Sequence, residues 1–371
     1  MGIERRMCNK GTAAAICLGI LLLGAASVQA IIFKSTGDPT YNTNAPTGSL
    51  TNSGWQYEGY WGSFLGTPIA PRYFIAANHV GGSVGDFYTL NGFTYRTVAT
   101  FKDPNSDLRI WKVANTFPIY APLYTNSNEV GQHCVMFGRG TQRGIPVVLP
   151  TETKTNGWKI GTSDGVKRWG ENDVSFIDDG GAGFGDLLKA NFDRSAGSNE
   201  CHLSLGDSSG AMFIKDGSDW KLAGINYAVD GYYSFTGSDT GRFDAAMMDV
   251  GGLYVGSDAN GWTFFTNQVA DIPSGFYSTR ISADLAWINS VIDFLPGDDL
   301  CITAIQPVGN DVSVSFATTN RLYYVQRIDA LTNGVWTTFT NNVPGTGGIV
   351  SVIDVNAATL TNRFYRLGLV P

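Results

Sequence analysis

Charged residues are scarce in this chain, and positive charge is scarcer than negative charge. Only 15% of the 371 residues are charged, and 25 Lys and Arg against 32 Asp and Glu give a net charge of −7. A protein that binds nucleic acid or an anionic membrane needs a clustered positive surface, so we expect neither partner. Low charge combined with 46 glycines and 12% aromatic residues excludes a disordered chain or a coiled coil, and favours short strands joined by tight turns.

Long apolar runs are absent except at the amino terminus. Three basic residues precede the apolar segment 12–25, and Val28-Gln29-Ala30 then offers a small residue before a cleavage point. This order is typical of a secretory signal peptide, and the apolar segment is short for a membrane span. An uncleaved amino-terminal anchor is the alternative. We expect residues 1–30 to be removed, and the mature protein to be secreted, periplasmic or at the cell surface.

Cysteine is too rare for a disulfide scaffold. Cleavage near Ala30 leaves Cys134, Cys201 and Cys301, an odd number that permits at most one disulfide within a chain. A core drawn from about 340 residues needs no disulfides, so the small number is compatible with export.

Short apolar or alternating segments bounded by turn residues fill most of the chain, which is typical of antiparallel barrels or sandwiches. The predicted strands before residue 281 are 73–77, 96–101, 108–113, 134–137, 211–215 and 221–227. The interval 142–200 is expected to form extended surface loops. Segment 281–295 follows helical spacing instead, with Ser282 as a candidate cap and Pro296-Gly297 as a stop.

The pattern changes after residue 297. Alternating segments predict further strands, and Asn333-Gly334 is a strong hairpin signal. These segments are 312–316, 323–328, 335–339, 349–355 and 364–370. About 70 residues of this kind fit a small β-sandwich over 301–371. Because this domain has no histidine and no obvious catalytic group, we expect it to bind the cell surface or another protein.

Three motifs supply the groups for nucleophilic catalysis. His79 follows the strand 73–77, Asp107 opens the strand 108–113, and Ser208 lies in a glycine-flanked turn. A serine hydroxyl needs an imidazole to accept its proton, and a carboxylate fixes the tautomer of that imidazole and stabilises its charged form. Each residue alone is ordinarily structural, a hydrogen-bonded histidine or a turn residue. Their joint order predicts an acyl-transfer site.

The motifs resemble those of the trypsin-like (chymotrypsin-fold) serine proteases, here of a bacterial secreted type. Ala76-Ala77-Asn78-His79-Val80 resembles the Ala-Ala-His-Cys motif of the family, 107–113 its Asp-Ile-Ala-Leu strand, and 206–210 its Gly-Asp-Ser-Gly-Gly turn. The segment 134–141 resembles the strand that opens the second barrel of the family, and the predicted helix around Trp287 resembles its carboxy-terminal helix. The resemblance covers roughly residues 31–295.

An all-β fold follows from this resemblance. It implies two antiparallel six-stranded β-barrels, about 31–125 and about 130–280, and a carboxy-terminal helix over 282–295. Together they form a protease domain over 31–297, followed by the small β-sandwich domain.

The resemblance also assigns roles to individual residues. His79 would act as general base and then general acid, Asp107 would orient it, and Ser208 would attack the acyl carbon. The N–H groups of Gly206 and Ser208 would form the oxyanion hole. Ser209 stands where the family has glycine and is a competing nucleophile on sequence alone.

The substrate pocket is placed in the same way. His202 occupies the family position that forms the floor of the primary pocket, and Tyr227, Ala228 and Val229 would form a wall. A histidine floor would disfavour Lys and Arg side chains and favours acidic ones.

Two further features of the resemblance stay open. The family partner of Cys134 is replaced by Ile214, which leaves Cys201 as a substitute partner or Cys134 as a free buried thiol. Cleavage after Ala30 would expose Ile31, and family members insert such an amine against the acid before the serine, here Asp207. The alternative is that Ile31 merely starts a strand.

We therefore expect a secreted serine endopeptidase that hydrolyses peptide bonds of a protein or peptide substrate through an acyl-enzyme intermediate. No cofactor and no metal are expected, because the acidic loops 178–179, 257–260 and 298–299 lack a full ligand spacing for calcium. The alternatives are a catalytically silent adhesion or binding protein that keeps the barrels, and an esterase with the same triad.

Overall fold

A computed structural model gives the fold of most of the chain. The residues that it describes are 4–6, 31–162, 164–292, 300–318, 322–331, 334–346, 348–360 and 362–370. The chain divides into two units, residues 1–287 and residues 288–371. Of the predicted signal peptide only Glu4–Arg6 is described, and the predicted stop at Pro296-Gly297 lies outside the described residues.

The described part of the first unit is built from β-strands joined by loops and turns. In chain order these are β1 (Glu4–Arg6), β2 (Ile32–Phe33), β3 (Gly59–Trp61), β4 (Phe64–Ala70), β5 (Tyr73–Ala77), β6 (Phe87–Leu90), β7 (Phe93–Lys102), β8 (Leu108–Val113), β9 (His133–Gly138), β10 (Arg143–Val148), β11 (Thr155–Ile160), β12 (Arg168–Asp179), β13 (Asp186–Asn191), β14 (Cys201–His202), β15 (Ala211–Asp216), β16 (Asp219–Asp230), β17 (Tyr233–Ser234), β18 (Ala245–Met247), β19 (Tyr254–Ser257), β20 (Gly261–Phe264) and β21 (Gly275–Arg280). Single 3₁₀ turns lie at Gly48–Leu50, Trp55–Tyr57 and Asn78–Val80.

Six antiparallel strands close the first barrel in the order β3-β4-β5-β8-β7-β6. Its interior is aromatic, because alternate residues of β5 and β8 point inward. The ring centroids of Phe74 and Tyr88 are 4.3 Å apart, and those of Trp61 and Trp111 are 4.7 Å apart. Large buried rings of this kind contribute both apolar area and favourable ring contacts.

A second barrel closes in the order β16-β15-β9-β12-β13-β21, since β21 pairs with β16 as well as with β13. All of these pairs are antiparallel. The short strand β1 adds to this sheet in parallel with β16. The interior includes Met136, Leu188, Met212 and Phe276. The predicted all-β fold with two six-stranded barrels is therefore confirmed.

The interval 142–200 is not simply an extended loop, and that expectation is wrong. Strands β10 and β11 form a hairpin, and β11 also pairs with β18. The hairpin helps to cover a separate apolar cluster that includes Val147, Leu149, Tyr233 and Phe243. Because the partners of the hairpin come from residues 233–255, its burial could not be recognised from the segment itself.

The α-helix in the described part of the chain, α1, spans Leu285–Ile292. It lies inside the predicted range 282–295, of which residues 293–295 lie outside the described residues. Ser282 does not cap it. The Ser282 hydroxyl instead donates to the Glu129 carboxylate, which also accepts two hydrogen bonds from Arg280 at 2.8 and 2.9 Å. The helix begins at Leu285, so Ser282 lies two residues before the capping position 284.

Two three-stranded antiparallel sheets form the second unit. Its strands are β22 (Ile302–Val308), β23 (Asp311–Ala317), β24 (Leu322–Ile328), β25 (Thr337–Pro344), β26 (Ile349–Asp354) and β27 (Phe364–Leu369), with a 3₁₀ turn at Ala357–Thr359. The sheets are β22-β23-β26 and β25-β24-β27, and both contribute to one core that includes Phe316 and Tyr323. The predicted small β-sandwich is confirmed, although β22 was not among the predicted strands. Asn333 of the predicted hairpin turn lies outside the described residues, while β24 and β25 on either side of it pair.

Within the part of the chain that the structure describes, no helix is both long and apolar enough to cross a membrane.

Candidate active site

His79 and Asp107 are held together by the pairing of β5 with β8. Strand β5 ends at Ala77, and the 3₁₀ turn that follows carries His79. Asp107 immediately precedes β8, and its carbonyl oxygen accepts the N–H of Asn78 at 2.7 Å. The Asp107 Oδ1 atom also accepts the backbone N–H of His79 at 3.0 Å. The backbone of the first barrel therefore fixes this carboxylate beside this imidazole.

The second barrel brings Ser208 to the other side of the same imidazole. The His79 Nδ1 atom lies 2.5 Å from Asp107 Oδ2, and its Nε2 atom lies 2.8 Å from Ser208 Oγ. The side chains of His79 and Asp107 are only 10% and 4% exposed. The three predicted residues thus form one continuous chain of hydrogen bonds that is largely shielded from water.

The turn that carries Ser208 has an unusual backbone. Gly206 and Ser209 have φ angles of +94° and +68°, in the left-handed region that glycine adopts readily. A Cβ atom on Gly210 would lie 2.0 Å from the Phe137 carbonyl oxygen, so only glycine fits there. The N–H groups of Gly206 and Ser208 donate no hydrogen bond to any other described residue. These are the two predicted oxyanion-hole donors.

Ser209 is engaged differently from Ser208. Its buried hydroxyl oxygen accepts the backbone N–H of Ala77 at 2.9 Å. The hydroxyl that faces the His79 imidazole is that of Ser208.

Asn226, which sequence reasoning expected only in the pocket wall 225–229, hydrogen-bonds to the turn that carries Ser208. Its side-chain amide is fully buried and donates to the carbonyl oxygens of Phe137 at 2.8 Å and Asp207 at 3.0 Å. Its own N–H donates to the Gly210 carbonyl at 2.8 Å, and its carbonyl accepts the Ser209 N–H at 2.9 Å. An asparagine inside an apolar strand was the available signal, because a buried amide needs hydrogen-bond partners.

The Asp207 carboxylate faces the backbone of Ile31. Its Oδ2 atom accepts the Ile31 N–H at 2.9 Å and its Oδ1 atom the Gly140 N–H at 2.6 Å, and Ser204 donates to Oδ2 twice. Complete burial raises the pKa of Asp207 to about 6, while these hydrogen bonds act in the opposite direction. Strand β2 begins one residue later, at Ile32. Ile31 therefore precedes a strand and also contacts the predicted acid.

His202, the predicted pocket floor, is completely buried. Its Nδ1 atom lies 2.6 Å from the Leu203 carbonyl oxygen and its Nε2 atom 3.2 Å from Ser274 Oγ. Burial lowers the pKa of His202 to about 4, so the imidazole is neutral at pH 7. The structure thus places no positive charge on this histidine at neutral pH.

Of the predicted wall residues, Tyr227 lies next to the imidazole of His79. The Tyr227 ring meets that of His79 edge-on, with the centroids 5.8 Å apart. Ala228 and Val229 follow on β16 and are buried.

A buried ion pair adjoins this wall and was missed by sequence reasoning. Asp230 follows Val229, and its Oδ2 atom lies 3.0 Å from Lys189 Nζ. The same carboxylate accepts the Gly275 N–H at 2.7 Å and the Tyr277 hydroxyl at 2.8 Å. A lone lysine in the apolar strand β13 was the available signal, because a buried ammonium needs a partner.

Cys134 and Cys201 are free, buried thiols, and Cys301 is free and exposed. Ile214, which stands at the sequence position expected for a cysteine partner, lies directly opposite Cys134 on the neighbouring strand. Because this residue is isoleucine, no disulfide can form there. The Cys134 thiol donates to the Asn172 carbonyl at 3.1 Å. Burial raises the pKa of both buried thiols well above the usual range.

Among the described residues, no group of three or more His, Cys, Asp and Glu side chains is arranged to hold a metal ion. In the acidic loop 257–260 the Asp258 carboxylate accepts the Asp239 N–H at 3.1 Å and the Trp262 indole N–H at 2.8 Å. Asp298 and Asp299 lie outside the described residues.

Comparison with known proteins gives similarity in structure only. No protein-family model and no curated protein sequence matches the chain. Neuropsin, a serine protease of mouse brain, aligns at 15% identity over 65% of this chain and 96% of its own, with a TM-score of 0.38. Kallikrein-related peptidase 10 aligns at 14% identity over 67% of this chain and 98% of its own, with a TM-score of 0.37. The Rv3671c protease of M. tuberculosis aligns at 12% identity over 78% of this chain and 97% of its own, with a TM-score of 0.38. All three are proteases or peptidases by name, and the double barrel of this chain rests on its own strand pairing rather than on these alignments.

Proposed function

We propose that the protein is a secreted serine endopeptidase with Ser208, His79 and Asp107 as its catalytic residues. The observation that carries the proposal is the position of the His79 imidazole, 2.5 Å from Asp107 Oδ2 and 2.8 Å from Ser208 Oγ. These are the contacts that a serine nucleophile, its general base and an orienting carboxylate need.

Acylation begins when Ser208 Oγ attacks the carbonyl carbon of the peptide bond. The hydroxyl proton passes to His79 Nε2, and Asp107 stabilises the resulting imidazolium through its Nδ1–H. The carbonyl oxygen becomes negative and accepts hydrogen bonds from the N–H groups of Gly206 and Ser208. Donors that are already fixed in place need no reorganisation at that moment, so they stabilise the charged intermediate effectively.

The intermediate collapses when His79 gives its proton to the leaving amine. The carbon–nitrogen bond breaks, and the acyl group stays on Ser208 Oγ. Water then attacks the ester carbon while His79 accepts a proton from it. When the second tetrahedral intermediate collapses, the bond between the acyl carbon and Ser208 Oγ breaks, His79 returns the proton to that oxygen, and the carboxylic acid leaves. No electron acceptor or further co-reactant is needed, because the overall reaction is hydrolysis.

The primary pocket is proposed to lie beside Tyr227, to have the buried residues His202, Ala228 and Val229 behind its surface, and to accept an uncharged side chain. A neutral His202 cannot attract an acidic side chain by charge. An uncharged side chain therefore replaces the acidic side chain that was expected from the sequence. The positive charge of Lys189 is balanced by Asp230 at 3.0 Å. This part of the second barrel therefore presents no net charge to a substrate.

Secretion and a binding role for the carboxy-terminal sandwich complete the proposal. The basic, apolar and small-residue order of residues 1–30 supports export. The absence of histidine from 301–371 supports an accessory role for that domain. We propose that it binds a cell surface or another protein.

Covalent labelling by a fluorophosphonate probe tests the proposal. The wild-type protein is expected to be labelled, Ser208→Ala to remain unlabelled, and Ser218→Ala, which removes an exposed serine, to be labelled like the wild type. A wild type that is not labelled would favour the silent binding protein. A labelled protein that hydrolyses simple esters but no peptide in a random library would favour the esterase.

A further inference from the structure

Ser209 connects the two barrels at the active site. Ala77 ends β5 of the first barrel, two residues before His79, whereas Ser209 directly follows Ser208 on the second barrel. The hydroxyl oxygen of Ser209 accepts the Ala77 N–H at 2.9 Å, and both residues are buried. The 2.8 Å contact between His79 Nε2 and Ser208 Oγ also joins the first barrel to the second, through residues close in sequence to Ala77 and Ser209.

The Ala77 N–H depends on this hydroxyl. Strand β5 pairs with β4 only as far as Ile75, so Ala77 lies beyond the end of that ladder. A buried backbone N–H without an acceptor is costly, and nearly all such groups in folded proteins are paired. A glycine at position 209 could not supply the acceptor.

The backbone at Ser209 is unfavourable for a serine. Its φ of +68° lies in the left-handed region, where a Cβ atom is disfavoured and glycine is not. Asn226 holds this conformation by accepting the Ser209 N–H at 2.9 Å and by donating to the Asp207 carbonyl at 3.0 Å. A residue kept in a strained conformation next to a nucleophile invites a functional explanation, because strain persists only where the surroundings fix it.

We propose that Ser209 is a positioning residue whose hydroxyl sets the separation between the general base on the first barrel and the nucleophile on the second. This inference rests on the proposed serine-hydrolase function. Ser209 does not touch the substrate, and it acts through the backbone of Ala77 and the turn that carries Ser208. A general base must lie within hydrogen-bonding distance of the hydroxyl that it deprotonates, so a small shift between the barrels weakens acylation.

Ser209→Gly and Ser209→Ala separate positioning from stability. Both remove the hydroxyl, but glycine relieves the strain at φ +68° and alanine keeps it. Ser209→Gly is therefore expected to melt at or above the temperature of Ser209→Ala. Both variants are expected to lose about 10- to 100-fold in kcat and in the rate of fluorophosphonate labelling, with KM nearly unchanged, since a displacement of about 1 Å can cost about 10²-fold.

Asn91 provides the matched control. It has a φ of +50° in the exposed turn between β6 and β7, so Asn91→Gly and Asn91→Ala reproduce the backbone change away from the site. Both are expected to keep the wild-type kcat.

The outcomes distinguish this inference from the function on which it rests. A wild type that no probe labels rejects the function itself. A labelled wild type with Ser209→Gly at the same kcat and labelling rate overturns the positioning role and leaves the function standing. Failure of Ser209→Gly to fold would also overturn it, because the hydroxyl would then serve stability. Labelling that survives in Ser208→Ala and is lost in Ser209→Ala would make Ser209 the nucleophile and reject the proposal.

Discussion

Asp107 contacts His79 twice, once at the backbone and once at the side chain. Its Oδ1 atom accepts the His79 N–H at 3.0 Å, and its Oδ2 atom lies 2.5 Å from His79 Nδ1. The His79 N–H must donate to an oxygen atom. If asparagine replaced Asp107, its amide oxygen would therefore face this N–H and its NH₂ group would face the imidazole ring. The orientation of the imidazole and its tautomer are therefore determined by one carboxylate.

Asp107→Asn is expected to reduce kcat/KM by about 10³- to 10⁴-fold with little change in melting temperature. The amide oxygen would take the His79 N–H, so the NH₂ group would face Nδ1. The ring proton would then move to Nε2, which could no longer accept the proton of Ser208. The measurement is kcat/KM on the best peptide together with the rate of fluorophosphonate labelling. Asp219→Asn, at the exposed first residue of β16, should behave like the wild type. An Asp107→Asn variant with more than about a tenth of wild-type activity would contradict the assigned role.

Local sequence patterns predicted those parts of the molecule whose signal lies within a few residues. Strands 73–77 and 108–113 have the predicted bounds, and they deliver His79 and Asp107 to one place. The bond between Ser209 and Ala77 joins residues 132 positions apart, and the Lys189–Asp230 pair joins residues 41 positions apart. Such partners become visible only when the barrels have closed, because no local pattern encodes which distant strand will be the neighbour.

The amino terminus produced by cleavage after Ala30 is expected to increase activity. A terminal ammonium at Ile31 would lie where the backbone N–H now lies, 2.9 Å from Asp207 Oδ2. A buried carboxylate whose pKa is raised to about 6 by desolvation gains more from a positive charge than from a neutral amide. The resulting ion pair would stabilise the turn that carries Ser208 and the two N–H donors.

Chains that begin at Ile31 and at Ala30 provide the comparison. The first is expected to be labelled by the fluorophosphonate at least about 10-fold faster, because charge-assisted hydrogen bonds are about twice as strong as neutral ones. Equal rates for the two chains would show that Ile31 only precedes strand β2.

The charge of the proposed pocket is expected to follow the Lys189–Asp230 pair. Profiling with a peptide library should show that the wild type prefers uncharged side chains before the cleaved bond. Lys189→Met removes the partner of Asp230 and should shift the preference towards Lys and Arg. Asp230→Asn should shift it towards Asp and Glu, because the ammonium is then unbalanced.

Lys215→Met, an exposed lysine on β15, is the control and should keep the wild-type profile. Unchanged profiles in folded Lys189→Met and Asp230→Asn would show that the pair lies outside the pocket. A wild type with a strong preference for acidic side chains would restore the expectation based on His202.

His133 is expected to stabilise the second barrel only while it is protonated. Its Nε2 atom lies 2.9 Å from Glu171 Oε1, and its Nδ1 atom lies 3.0 Å from Asp173 Oδ1. The hydrogen bond to Glu171, which has the largest effect, and the one to Asp173 raise the pKa of His133 above its usual 6.5. A raised pKa means that the stabilisation is complete below pH 6.5 and is lost as the pH rises through the pKa of the folded state. Because the side chain is half-exposed, His133→Gln should cost only about 1 kcal/mol at pH 6, less in 1 M salt, and progressively less as the pH rises. Melting curves of the two proteins from pH 6 to pH 9 check the prediction. The kcat/KM value should stay unchanged, because the hydrogen bonds of His133 are to Glu171 and Asp173 rather than to a proposed catalytic residue. A difference in stability that did not vary with pH would show that packing rather than charge explains the effect of His133.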